Sequence, residues 1–192
     1  MSAAPLPDWA IPPTSGFVAE DLDRLPDLPP HTELIDGSLV FTSPQASFHM
    51  RSLRLLENAL CACVPAHLAV QREMTVKLDT SQRPEPDIMI TQAAAESGLS
   101  QTMFLAADTV LVVEVVSEES QERDRERKPQ LYAKAGITHF WRVENVDERM
   151  VVYVYELDPA TRVYALTGIY HDRLKVPVPF QIDIDLDAIS HR

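Results

Sequence analysis

The chain has 192 residues, of which 45% are hydrophobic, so it is long enough to form one domain with a substantial core. No apolar run approaches the length of a membrane span, and the N-terminus lacks the basic start and apolar centre of a secretory signal, so we expect a cytoplasmic protein. The formal net charge of −12 argues against nucleic-acid binding unless a local basic patch supplies it, because such binding depends on neutralising phosphates.

The N-terminal part begins with a segment rich in Pro and Ala, residues 1 to 16, which we predict to be a flexible arm. Residues 17 to 192 are predicted to form a single domain. Phe17–Leu25 is typical of a short helix. Glu33–Ser43 predicts a hairpin, since Asp36–Gly37 is a strong turn signal between two apolar runs.

A helix is predicted next, over Ser47–Val64, because apolar residues recur along one face. His49 lies near its start, and we interpret it as a packing or hydrogen-bonding residue, which is the commoner role of a single helical histidine. Leu68–Leu78 is predicted to be a strand. Cys61 and Cys63 are interpreted as small core or surface residues in a reducing compartment.

Two apolar, largely β-branched runs then carry one prominent carboxylate each. Asp87 lies in the first run, Arg83–Ile90, and Glu114 lies in the second, Thr109–Ser117. A run such as that around Glu114 is typical of a strand buried on both faces, where an unpaired charge costs several kcal/mol. Two such carboxylates can converge on a hard cation, and oxygen ligands suit Mg²⁺ or Mn²⁺.

A further helix is predicted over Gln121–Ile137, ending at Gly136. Lys128 lies one turn before Tyr132, on or beside the buried face. Pro129 follows directly, so the helix either begins near Lys128 or bends there. A metal held by two carboxylates, with a lysine beside it, can position and activate water against a phosphodiester.

The segment from Glu118 to Lys128 is a charge run, which is most often a solvated face. Three arginines within it are candidates for the local basic patch: Arg123, Arg125 and Arg127. Thr138–Asn145 is predicted to be a strand beside the Glu114 strand, joined to it by a right-handed strand–helix–strand crossover.

The C-terminal part is predicted to contain a hairpin, with strands at Met150–Asp158 and Arg162–His171. Its tyrosines are available to a sheet face or to a second copy, and we expect a homodimer formed through this hairpin. Phe180–Leu186 alternates apolar and acidic residues, which favours an edge strand.

Taken in order, a set of short motifs resembles the Uma-two (Uma2) family of proposed restriction endonucleases, within the PD-(D/E)XK nuclease superfamily. The resemblance extends over roughly residues 17 to 186. The motifs are Pro86–Asp87, Glu114–Val115 with Ser117, Asp124-x3-Lys128-x3-Tyr132, Ala135-Gly136-Ile137 and Phe140-Trp141-x-Val143, preceded by Glu33–Val40, Ser43–Pro44 and His49.

This resemblance implies an α/β (α+β) domain of the restriction-endonuclease-like type, with a mixed central sheet flanked by helices. It implies a Mg²⁺-dependent endonuclease acting on DNA, with Asp87 and Glu114 holding the metal. Glu33 is either a further metal ligand or a solvated residue at a strand start. Val116 stands where the superfamily usually has its lysine, so the resemblance implies that this role has moved to Lys128. Val116 and the acidic net charge favour the alternative, a catalytically degenerate nuclease fold that serves in binding or assembly.

Overall fold

The computed structural model describes residues 7–190. Within them the α-helices are α1 (Ser47–Cys63) and α2 (Lys128–Ala135), and α2 continues directly from a π-helical segment, Arg123–Arg127. The strands are β1 (Thr32–Ile35), β2 (Ser38–Phe41), β3 (Leu68–Arg72), β4 (Thr75–Lys77), β5 (Ile88–Gln92), β6 (Met103–Leu105), β7 (Thr109–Val115), β8 (His139–Val146), β9 (Arg149–Asp158), β10 (Val163–Tyr170), β11 (Arg173–Val176) and β12 (Ile182–Asp185).

Six strands form the central sheet, in the order β10-β9-β8-β7-β5-β3. β7 and β8 are parallel, and the other neighbours are antiparallel. The parallel pair is joined by α2, as expected for a strand–helix–strand unit. The predicted mixed sheet with flanking helices is therefore confirmed, and so is the C-terminal hairpin of β9 and β10.

The two faces of the sheet are covered by different helices. The apolar stripe of α1, which includes Leu53 and Leu56, packs with Val113 and Val115 on one face. Tyr132 of α2 packs with Val112 on the other face. Because side chains alternate along a strand, Glu114 points to the same face as Val112, beneath α2.

The first hairpin, β1–β2, turns at Asp36 and Gly37, whose φ angles of 52° and 71° are those of the tight turn favoured by the Asp-Gly pair. The hairpin is attached to the domain through Leu34, which exchanges two main-chain hydrogen bonds with Arg83. Arg83 is itself fully buried and forms a bidentate ion pair with Asp23. This attachment fixes the position of Glu33, which is 4% exposed.

One strand prediction differs from the structure. The segment predicted as one strand, Leu68–Leu78, is divided at Glu73, whose φ of 51° is incompatible with an extended strand. β3 therefore joins the central sheet, while β4 pairs in parallel with β6. The last predicted strand pairs with β11 in a separate two-stranded sheet, where it is an edge strand as predicted. Its predicted alternation is present, since buried and exposed residues alternate along β12.

The predicted flexible arm, residues 1 to 16, lies partly outside the described residues. Of the remainder, Asp8–Ala10 forms a short 3₁₀ turn. In the predicted helix at Phe17–Leu25 the structure has a 3₁₀ helix over Ala19–Asp23. No helix within residues 7–190 is long and apolar enough to cross a membrane.

Candidate active site

A cleft of about 380 Å³ lies where the first hairpin, the start of α1 and the helix before α2 meet the ends of β5 and β7. The four sequence-predicted catalytic and metal-binding residues all line it: Glu33, Asp87, Glu114 and Lys128. Asp124 lines it as well. With Glu73 and Glu85, six carboxylates therefore line this cleft together with one lysine.

The ammonium group of Lys128 lies among three of these carboxylates. Its Nζ is 2.8 Å from Oε1 of Glu33, 3.1 Å from Oε2 of Glu114 and 3.3 Å from Oδ1 of Asp124. Burial acts to lower the pKa of Lys128, but the neighbouring negative charges outweigh it and raise this pKa well above its usual value. The lysine therefore remains protonated while it is 4% exposed.

Glu114 is deeply enclosed in the cleft, at 2% exposure. The Tyr132 hydroxyl donates a hydrogen bond to its Oε1 at 2.5 Å, and Lys128 donates to its Oε2. Burial raises the pKa of Glu114 well above its usual range; the Lys128 charge opposes this shift, and the nearby Asp124 and Asp87 add to it. The carboxylates of the cleft therefore repel one another when ionised, and Lys128 compensates this repulsion only in part.

Asp87 lies directly before β5 and lines the same cleft. Ile88 pairs with Val113 in the antiparallel ladder between β5 and β7. One residue before Ile88, the same register places Asp87 opposite Glu114. Oδ2 of Asp87 accepts a hydrogen bond from the main-chain amide of Val115 at 2.6 Å, and Oδ1 lies 2.9 Å from Nε2 of His49. These contacts orient the carboxylate toward the cleft.

The π-helical segment before α2 explains how Lys128 reaches the cleft despite Pro129. The amide of Lys128 donates to the carbonyl of Arg123, five residues back, so the helix is widened over one turn. Proline is then tolerated within the first turn of α2. Asp124, Lys128 and Tyr132 follow at intervals of four residues, and all three are buried beside Glu114.

The structure separates the three candidate arginines. Arg123 lines the cleft, where its Nε is buried without a hydrogen-bond partner, although its Nη2 pairs with Glu119. Arg125 instead forms a bidentate ion pair with Glu144. Arg127 pairs with Asp36 of the first hairpin. Arg125 and Arg127 are therefore not part of the cleft lining, because each is drawn to a carboxylate on another side of the helix.

Sequence reasoning underrated two residues of this cleft. Asp124 enters the sequence prediction only within a family motif, yet it is 2% exposed and four residues before Lys128. His49, interpreted as a packing or hydrogen-bonding residue, does hydrogen-bond to Asp87, and it also lines the cleft. The four-residue spacing from Asp124 to Tyr132 was the available signal for the first. For His49 the family motif was the available signal, since its partner Asp87 is on another element.

The residues present are compatible with a hard divalent cation. Within residues 7–190, no three His, Cys, Asp or Glu side chains lie close enough to form a metal-binding group by themselves. Mg²⁺, however, is typically bound by one or two carboxylates and completes its coordination with water and substrate phosphates. Asp124 Oδ1 is also buried without a hydrogen-bond partner, despite its proximity to Lys128. Asp87 and Glu114, at the facing ends of neighbouring strands, are the two carboxylates that such a site would use.

A mixed sheet with two carboxylates at the ends of neighbouring strands, and a lysine beside them, defines the restriction-endonuclease-like class of nuclease folds. The sequence model of the Uma2 family, described as "Putative restriction endonuclease", matches residues 19–188. The chain belongs to this family, which confirms the resemblance and supports a nuclease function in general terms.

A solved structure agrees on the fold. The crystal structure of a "putative nuclease belonging to DUF820" from Anabaena variabilis is similar with a TM-score of 0.62 and 17% sequence identity. The similarity covers 85% of this chain and 89% of that one. At this identity the likeness establishes the fold alone. None of the curated proteins matches the chain significantly.

Proposed function

We propose that the chain is a Mg²⁺- or Mn²⁺-dependent endonuclease that hydrolyses phosphodiester bonds in DNA. The observation that carries this proposal is the cleft in which six carboxylates are accompanied by one lysine. Such an excess of buried negative charge is reduced either by protonation or by a cation. The family assignment supports the second alternative.

Asp87 and Glu114 would hold the metal, and Glu33 would supply a further oxygen or orient the others. When bound, the metal would polarise the scissile phosphate and lower the pKa of a water molecule. Lys128 would orient that water or stabilise the negative charge that develops on the phosphate. His49 and the Val115 amide would keep Asp87 in the orientation that faces the cleft.

Because the net charge of the chain is negative, binding of DNA requires a local group of positive charges. Arg123 is the arginine of the charge run that lines the cleft, and its partly unsatisfied guanidinium suits a phosphate oxygen. A metal ion would add positive charge at the same place. Contact with DNA through Arg125 and Arg127 would first require them to leave Glu144 and Asp36.

A nuclease assay tests this proposal. Single-stranded DNA, duplex DNA and RNA are incubated with Mg²⁺, Mn²⁺ or Ca²⁺, and cleavage is compared between the natural chain and Asp87→Asn. Asp147→Asn is the matched control, because Asp147 is an exposed turn residue away from the cleft. We expect metal-dependent cleavage of DNA that Asp87→Asn abolishes and the control preserves. Absence of cleavage with every substrate and metal would contradict the proposal.

The alternative is a degenerate nuclease fold that acts as a binding or assembly module. It is favoured by Val116 at the usual lysine position and by Lys128 being fully engaged by carboxylates. Metal-induced stabilisation separates the two functions. If Mg²⁺ raises the melting temperature and Glu114→Gln removes that effect, the metal site is intact. If metal has no effect, the module is the better explanation.

A further inference from the structure

A second cavity, of about 420 Å³, lies on the opposite side of α2 from the candidate active site. It is lined by three helix residues, each one position after a residue that faces the cleft: Arg125, Pro129 and Ala133. Its other wall is the face of β8, β9 and β10 that α2 leaves uncovered. The volume lies within the range of about 300–1,000 Å³ that is typical of small-molecule sites.

The wall of this cavity is aromatic. Phe140 lies at its base, with the ring centroids of Tyr155 and Tyr164 at 5.6 Å and 5.4 Å from its own. Tyr155 and Tyr164 are only partly buried, so they present ring surface to the cavity. The Tyr164 hydroxyl is held by the carbonyl of Ile137 at 2.7 Å, which fixes this ring in place. A planar ligand ring can stack on such a surface.

Three arginines accompany the aromatic rings: Arg125, Arg142 and Arg162. Arg125 and Arg142 share one carboxylate, Glu144, so the pair keeps one uncompensated positive charge. The guanidinium of Arg142 also lies over the Tyr153 ring, 4.6 Å from its centroid. Arg162 is exposed and donates to the main-chain carbonyl of Lys134 at 3.3 Å, a contact that leaves its charge unneutralised. Glu126 also lines the cavity, so three arginines face two carboxylates, Glu126 and Glu144, and one positive charge remains in a chain with a net charge of −12.

We propose that this cavity is a nucleotide-binding site distinct from the catalytic cleft. Aromatic faces and guanidinium planes are the side-chain groups on which unstacked bases lie, and arginine is suited to the phosphate. The base would stack against Tyr155 and Tyr164, and Arg162 would contact the phosphate. The ligand is either a free nucleotide or one nucleotide of a single strand, and both offer the same chemistry.

The Glu144 ion pairs by themselves would make this region a structural network. That explanation accounts for Arg125 and Arg142, but it leaves the open volume, the partly exposed rings and Arg162 without a role. The position of Arg162 also makes it easy to test, because its φ of 55° is tolerated by asparagine. Arg162→Asn therefore removes the charge with little expected effect on the fold.

The experiment is calorimetric titration of the whole chain with dAMP, inorganic phosphate and a short oligodeoxyadenylate in EDTA. Without divalent metal, binding is independent of the proposed nuclease activity, so failure of one proposal is distinguishable from failure of the other. We expect Arg162→Asn to weaken dAMP binding about tenfold, as for loss of a charge-assisted hydrogen bond. We expect Arg162→Lys to retain most of the affinity. Tyr155→Leu should weaken dAMP binding without affecting phosphate.

Arg149→Asn is the matched control, since Arg149 is an exposed arginine paired with Asp172 and outside this cavity. An equal loss of affinity in Arg149→Asn would reveal a general charge effect and overturn the proposal. Absence of binding by both dAMP and the oligonucleotide would overturn it as well, and so would binding that neither Arg162→Asn nor Tyr155→Leu weakens. Stronger dependence on Arg162 for the oligonucleotide than for dAMP would identify a strand as the source of the nucleotide, and the reverse would identify a free nucleotide.

Discussion

The ammonium group of Lys128 lies 2.8 Å from the carboxylate of Glu33, although the two residues come from the first hairpin and from α2. Glu33 Oε1 also accepts a hydrogen bond from the main-chain amide of Glu85 at 2.8 Å. The hairpin therefore contributes directly to the electrostatics of the cleft. This relationship places Lys128 in a buried ion network and excludes the simpler interpretation of a solvated lysine within a charge run.

Replacement of Lys128 by alanine should separate catalysis from metal binding. Cleavage should fall by a factor on the order of a hundred to a thousand, as for loss of one preorganised stabilising group. Metal affinity should be nearly unchanged or slightly higher, because the metal is held by carboxylates and a like charge has been removed. The measurement is cleavage rate alongside metal titration. Unchanged cleavage in an active enzyme would remove Lys128 from the catalytic residues.

The same variant should also lose stability. Removing one partner of a buried ion network costs about 3–5 kcal/mol, because the remaining charges are left uncompensated. Lys134→Ala is the matched control on the same helix, since Lys134 is exposed and should change the free energy of unfolding by less than about 0.5 kcal/mol. Urea denaturation of both variants measures the difference, and an equal small effect in both would contradict the buried network.

Removal of the Tyr132 hydroxyl should cost more than removal of a comparable tyrosine hydroxyl. Tyr132 donates to the Glu114 carboxylate, and such a bond contributes about 1.5–3 kcal/mol. Tyr164 donates to a neutral carbonyl, where about 0.5–1.5 kcal/mol is expected. Denaturation of Tyr132→Phe and Tyr164→Phe compares the two. A larger loss in Tyr164→Phe would mean that Glu114 carries a proton at the pH of the measurement.

Stability should depend on pH through Glu114. Its pKa in the folded chain is raised above the ordinary value of 4.5, mainly by burial. Between these two values the folded chain binds more protons than the unfolded chain, so the free energy of unfolding should decrease as the pH rises through this window. Denaturation over a pH series should show this slope in the natural chain and a smaller one in Glu114→Gln. Mg²⁺ should reduce the slope, since the metal binds the ionised form, and a slope insensitive to Glu114→Gln would assign the effect to another group.

The homodimer stays a prediction, with a more definite location than the sequence allowed. Tyr155 and Tyr164 of the C-terminal hairpin are partly buried against Phe140, whereas Val163, Leu166 and Ile169 are exposed on the edge strand β10. We expect light scattering to detect a dimer that Leu166→Lys dissociates, because an edge lysine opposes strand pairing. Leu99→Lys is the control at an exposed loop position. A monomer at high protein concentration would contradict the prediction.

The sequence predicted those features that depend on local pattern. The Asp36–Gly37 turn, the doubly buried strand around Glu114 and the helix end at Gly136 all follow from short-range chemistry, and the structure has each of them. The long-range features were missed. The partner of Arg127 is Asp36, and that of Arg125 is Glu144, so the basic patch that the sequence indicated is largely neutralised by residues far along the chain.

The π-helical turn makes the spacing of residues before Lys128 as important as their identity. In an α-helix each residue advances the direction of the side chain by about 100°. Loss of one residue between Asp124 and Lys128 would restore ordinary helical hydrogen bonding and shorten their spacing from four residues to three. The ion pair between these two residues would lose its present geometry, while Lys128 and Tyr132, anchored beneath by Glu114, would stay. Tolerance to deletion should therefore be lowest in a segment whose charged composition resembles that of an exposed, permissive surface.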